Sequence, residues 1–83
     1  GDGLADIIVE TEDPDAGIIV ELKYVREFSA MEKACERAIT QIRDRRYVEY
    51  LRNDGRWNNL FSGIAFCKKR CKVVVEVAKC EKL

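Results

Sequence analysis

Residues 18–25, IIVELKYV, form a nearly continuous run of β-branched, apolar and aromatic side chains, interrupted only by Glu21 and Lys23. A run of this kind reads as a central strand covered on both faces of a sheet. Side chains alternate along a strand, so Glu21 and Lys23 share one face while Ile18, Val20, Leu22 and Tyr24 share the other. Burying either charge costs several kcal/mol unless it is paired or holds an ion. Any fold for this chain must therefore place both charges where something compensates them.

The flanking sequence supplies a small sheet around that strand. Leu4–Glu10 reads as a first strand, and Glu12–Gly17, which holds the only proline, reads as a hairpin turn into Ile18–Val25. Ser29 precedes Glu32 at capping-box spacing, with Phe28 as a hydrophobic staple. Met31, Ala34, Cys35, Ala38, Ile39 and Ile42 recur at helical spacing, which predicts one long helix from Ala30 to about Leu51, stopped by Asn53-Asp54-Gly55. Leu60–Cys67 reads as a third strand, Lys68-Lys69-Arg70 as a basic turn and Lys72–Val77 as a fourth strand. The expected fold is α/β: a small mixed sheet in the order β-β-α-β-β with one long helix packed on it, the second and third strands parallel across the helical crossover.

The hairpin allows a test of which residues meet. If Glu10 pairs with Gly17, the same antiparallel register sets Asp6 opposite Glu21, whereas a one-residue slip would send Asp6 to the other face. Two carboxylates facing each other across a sheet repel, and a divalent cation converts that repulsion into coordination.

Formal net charge is zero, from 15 basic and 15 acidic residues, but the charges are segregated. Residues 1–22 hold seven acidic residues and no basic one, leaving 8 acidic against 15 basic in the remainder. An acidic first part suits a hard cation and a basic remainder suits phosphates. No apolar run approaches the ~20 residues of a membrane span, and a cytoplasmic protein is expected. The four cysteines, Cys35, Cys67, Cys71 and Cys80, lack metal-ligand spacing and there is no histidine, so a zinc site is not expected.

In this order the segments GDGLAD, IIVELK, QIRDRRY and GIAFCKKRCKV resemble the successive motifs of the PD-(D/E)XK nuclease superfamily, in the bacterial branch often found behind an AAA-type ATPase-like domain. The resemblance implies a restriction-endonuclease-like core over residues 1–83, with an upstream helix and strand expected but not supplied here. It implies that Asp6 and Glu21, with the Leu22 carbonyl, hold Mg2+ or Mn2+, and that Lys23 orients the attacking water and stabilises charge on the phosphate. Gln41 and Arg45 lie one helical turn apart and are expected at the edge of the site, while Tyr47 does not share their face. Lys68, Lys69 and Arg70 are expected to guide a nucleic-acid backbone, DNA in the first instance. Leu4 departs from the branch, which usually carries arginine there.

Several of these residues also have plain structural readings. Glu21 and Lys23 form a structural ion pair in that view, the Arg43, Arg45, Arg46 cluster is a solvated helix face, and Trp57 and Phe61 pack in the core because no aromatic residues interleave with the basic ones. Two functions follow as expectations: a divalent-metal-dependent nuclease, or a catalytically inactive module of the same fold serving an attached ATPase domain or a partner chain. An open sheet edge makes a homo-oligomer a third expectation.

Overall fold

The computed structural model describes residues 3–44 and 47–79, with residues 3–6 and 79 described by their backbone. Four strands, β1 (Gly3–Glu10), β2 (Ala16–Tyr24), β3 (Asn58–Cys67) and β4 (Arg70–Lys79), form one sheet in the order β1-β2-β3-β4. β1 and β4 run antiparallel to their neighbours, and β2 and β3 run parallel. The parallel pair is joined through the helical segment, as parallel neighbours require a crossover. This is the expected mixed sheet with its helix. The strands run longer than the sequence pattern indicates, and Arg70 opens β4 rather than closing the turn.

At its start the helical segment departs from expectation: a short 3-10 turn, Phe28–Ala30, precedes α1 (Met31–Asp44), so Ser29 lies inside that turn and is not the cap of α1. Helix is described again in α2 (Tyr47–Asn53), and residues 45 and 46 between the two lie outside the described residues. Leu51 is fully buried and joins Ile19, Ile39, Ile42 and Phe61 in one core cluster, with Tyr47 and Val48 packed against it.

The helices cover one face of the sheet. Ile19, Glu21, Lys23 and Val25 of that face are buried, while Ile18, Val20 and Leu22 of the other are half-buried and Tyr24 is exposed. The expectation that β2 is covered on both faces therefore fails among the described residues, since no second layer packs there. Val73, Val75 and Val77 of β4 are exposed on that same side. Cys35 and Cys67 sit together in the second core cluster with Val25, Met31, Ala34 and Ala65, and Cys71 is exposed. Burial pushes the Cys35 thiol above its usual pKa, and its Sγ donates to the Lys72 carbonyl at 3.3 Å.

Close approach of α1 to the sheet depends on Gly63. A Cβ built there would stand 2.5 Å from the Cys35 carbonyl oxygen and 2.9 Å from the Ala38 Cβ. Gly63 pairs with Glu21, so the closest helix–sheet contact lies directly beside the charged positions of β2.

Arg56 fixes the hairpin that carries β1. Its guanidinium is nearly buried, with Nε donating to Asp54 Oδ2 at 2.8 Å and Nη1 donating to the carbonyls of Thr11 (3.3 Å), Asp13 (3.0 Å) and Ala16 (2.5 Å). Thr11 Oγ1 also donates to the Asp13 and Ala16 carbonyls, both at 3.0 Å. The turn is thus held from inside the protein, and its register is passed down the β1–β2 ladder. Arg56→Leu leaves these carbonyls without their charged donor and should lower stability by about 2 kcal/mol in urea denaturation. An unchanged midpoint would show that the turn holds its own geometry.

Candidate active site

The hairpin register is the one that Glu10 opposite Gly17 requires: Ile8 pairs with Ile19 and Asp6 with Glu21. A bulge lies further up, between Gly3 and Ala5. Asp6 is described by its backbone position, which sets it directly across the ladder from Glu21. The side chain at position 4, where Leu4 replaces arginine, lies outside the described residues.

Glu21 and Lys23 are the most deeply buried charged residues of the described chain, at 1% and 0% exposure. Lys23 Nζ donates to Gln41 Oε1 at 2.5 Å and stands 4.0 Å from Glu21 Oε1. A strand of period two and a helix held close by Gly63 together produce this arrangement: β2 sets both charges on its covered face, and α1 lays Gln41 over them. An ammonium has three donors. One is committed to Gln41, which fixes the position of Nζ without neutralising it.

Beside this pair, the outward side of α1 lines a cleft of about 540 Å3 with Lys33, Glu36, Arg37, Thr40 and Gln41, two cations against one carboxylate. Lys33, Arg37 and Gln41 are spaced by four residues and share a face. Both cations lie on the Gln41 face one and two helical turns before it, whereas Arg45, expected one turn after it, lies outside the described residues. Arg43 belongs to the opposite side of the helix, where its guanidinium pairs with Glu76 of β4. Lys68, Lys69 and Arg70 are exposed at the β3–β4 tip, beyond the row in which Lys23 pairs with Ala65. They are not in contact with the Glu21–Lys23 pair.

A family model described as the PD-(D/E)XK nuclease superfamily matches residues 1–76. The chain belongs to the PD-(D/E)XK nuclease superfamily. No curated protein and no solved structure matches it. The small mixed sheet with its helix is consistent with the restriction-endonuclease-like core of that superfamily. Its members generally use divalent metal ions.

The residue types at this position of the PD-(D/E)XK chain are compatible with such an ion. Glu21 would offer a carboxylate, Leu22 a main-chain carbonyl and Asp6 a second acidic residue at the facing register position. All are oxygen donors, the type that Mg2+ and Mn2+ prefer, whereas Cys35 and Cys67 are committed to the core. Among the described residues no three His, Cys, Asp or Glu side chains gather into a group that could hold a metal ion. No helix among them is long and apolar enough to cross a membrane.

Proposed function

We propose that this PD-(D/E)XK chain is a divalent-metal-dependent nuclease hydrolysing phosphodiester bonds of a nucleic acid, with Mg2+ or Mn2+ held by Asp6, Glu21 and the Leu22 carbonyl. The observation that carries the reading is the buried pair on the covered face of β2, Glu21 and Lys23 with Nζ hydrogen-bonded to Gln41, together with the register that sets the Asp6 backbone across the ladder from Glu21. A purely structural pair has little reason to sit where three costs coincide, namely two desolvated charges, a facing acidic residue and a helix brought close by glycine.

When bound, the cation supplies Lewis-acid stabilisation of the phosphate and lowers the pKa of a water. The chain's own residues do the rest. Lys23 presents its ammonium to the phosphate oxygens, where fixed positive charge stabilises the charge that develops during attack. Gln41 holds Nζ by accepting one of its N–H hydrogen bonds, so the ammonium does not have to reorganise as the reaction proceeds. Lys33 and Arg37 line the cleft at the mouth and attract the polyanion. Lys68, Lys69 and Arg70 extend that positive surface along the end of the sheet.

The competing reading, a fold retained as an interaction module for an attached ATPase domain, a partner chain or a second copy, draws on the apolar face opposite the helices and on the sheet edges at β1 and β4. A cleavage assay on labelled DNA and RNA in Mg2+, Mn2+ and EDTA separates the two. Metal-dependent cleavage that Glu21→Gln reduces by at least a hundredfold supports the nuclease. A folded protein without cleavage in either metal supports the module.

A further inference from the structure

Phe28 is 44% exposed and belongs to neither core cluster. Two cations nevertheless close on its ring: the Arg70 guanidinium lies 4.5 Å from the centroid and the Lys68 ammonium 5.3 Å away. Beside the ring lies a second cleft, of about 410 Å3, lined by Phe28, Met31, Arg70 and Lys72 among others. Glu32 at its rim lies 3.8 Å from Lys72 Nζ, so that carboxylate is already engaged. An exposed aromatic ring covered by arginine and lysine can hold an unpaired base once the cations turn from the ring to the adjoining phosphates, exchanging cation–π contact for base stacking and charge pairing.

The turn itself carries a second observation. Lys68 has φ of 55°, in the left-handed region that favours glycine or asparagine in a two-residue hairpin loop. A lysine held there accepts backbone strain that glycine would not, and its ammonium ends over Phe28. Strain of this kind concentrates where a side chain is needed for contact with a ligand.

We infer that Phe28, Lys68 and Arg70 form a platform for an unpaired nucleotide, so that the polynucleotide this chain takes is single-stranded or a frayed end. This rests on the nucleic-acid reading above and deepens it. Bases inside a duplex are stacked on their neighbours and offer no free face to Phe28. The platform lies two residue rows beyond Lys23 and two strands across, roughly 10–15 Å away from spacings of about 3.3 Å per residue and 4.8 Å per strand. One short stretch of strand therefore reaches both the platform and Lys23.

Fluorescence anisotropy in EDTA, where binding is read without hydrolysis, tests this on the full chain. The probes are a labelled single-stranded DNA, the RNA of the same sequence and the blunt DNA duplex. Either single strand is expected to bind at least tenfold tighter than the duplex, and the tighter of the two identifies the preferred backbone. Phe28→Ala is expected to weaken single-strand binding about tenfold and leave duplex binding unchanged, while Phe28→Trp retains it. Lys68→Gly is expected to weaken binding while its thermal midpoint stays level or rises, which a purely structural turn residue would not do. Glu21→Gln is expected to leave all three affinities unchanged, so loss of hydrolysis and loss of the platform are separately visible. Equal affinity for single strand and duplex, no binding to either, or an equal effect of Phe28→Ala on both overturns the proposal.

Discussion

Lys23→Met should reduce metal-dependent cleavage by about a hundred- to a thousandfold while leaving cation binding intact or tighter. The size follows from removing one preorganised positive donor at a reacting phosphate. The direction of the cation effect follows from Coulomb's law, because the ammonium 4.0 Å from Glu21 Oε1 repels any ion held by that carboxylate. Without the ammonium, the buried carboxylate also loses a nearby counter-charge. The variant should therefore be less stable than wild type by about 3 kcal/mol in EDTA, at the low end of the range for breaking a buried pair. Added Mn2+ should restore more stability to Lys23→Met than it adds to wild type, since the ion takes over the ammonium's electrostatic role. Cleavage kinetics and thermal melts with and without Mn2+ read all three effects. Full cleavage activity in the folded variant would remove Lys23 from the site.

Gly63→Ala should be the most damaging single-methyl change in the described chain. The added Cβ meets main chain, at 2.5 Å from the Cys35 carbonyl oxygen, so no side-chain rotation relieves the contact. Helix α1 has to shift away from β3, opening the layer that holds Ala34, Cys35 and Ala38 at zero exposure. A loss of about 3 kcal/mol is expected, at the upper end of the usual overpacking range. The same shift lifts Gln41 from Lys23, so cleavage should fall further than the unfolded fraction accounts for. Urea denaturation together with cleavage at a temperature where the variant remains folded checks both. A stability change below about 0.5 kcal/mol would mean that the helix is not seated as closely as described.

The part of this architecture legible in the sequence is the part written in periodicity. Alternation along residues 18–25 puts Glu21 and Lys23 on one face, and the acidic turn between Glu10 and Gly17 sets a register that reaches Asp6. The helical spacing of Met31 to Ile42 identifies the buried face of α1, all six residues of which are buried. What escaped was written in contacts between distant segments. Phe28 reads as a staple from its place before a helix, yet its ring is met by cations 40 and 42 residues further on. Arg56 reads as a polar loop residue, while its nearly buried guanidinium binds the carbonyls of a turn more than forty residues upstream. Lys33 and Arg37 share the Gln41 face at helical spacing, on the side of Gln41 away from the arginine cluster.

These residues differ in what they ask of the fold. Glu21, Lys23 and Gln41 require a fixed interior, supplied by Gly63 and the two core clusters. Phe28, Lys68 and Arg70 require an exposed tip, where the strand ends and a two-residue turn keep the ring and its cations at the surface. A rigid charged centre with an exposed platform a few residues beyond it is a workable division between chemistry and capture.

Isothermal titration of the metal-free protein with Mn2+ probes the site most directly. One cation per chain is expected in wild type and in Lys23→Met, with binding abolished in Glu21→Gln and in Asp6→Asn. Equal Mn2+ binding by wild type and both carboxylate variants, or no binding by a folded wild-type chain, would mean that these two acidic positions do not share an ion.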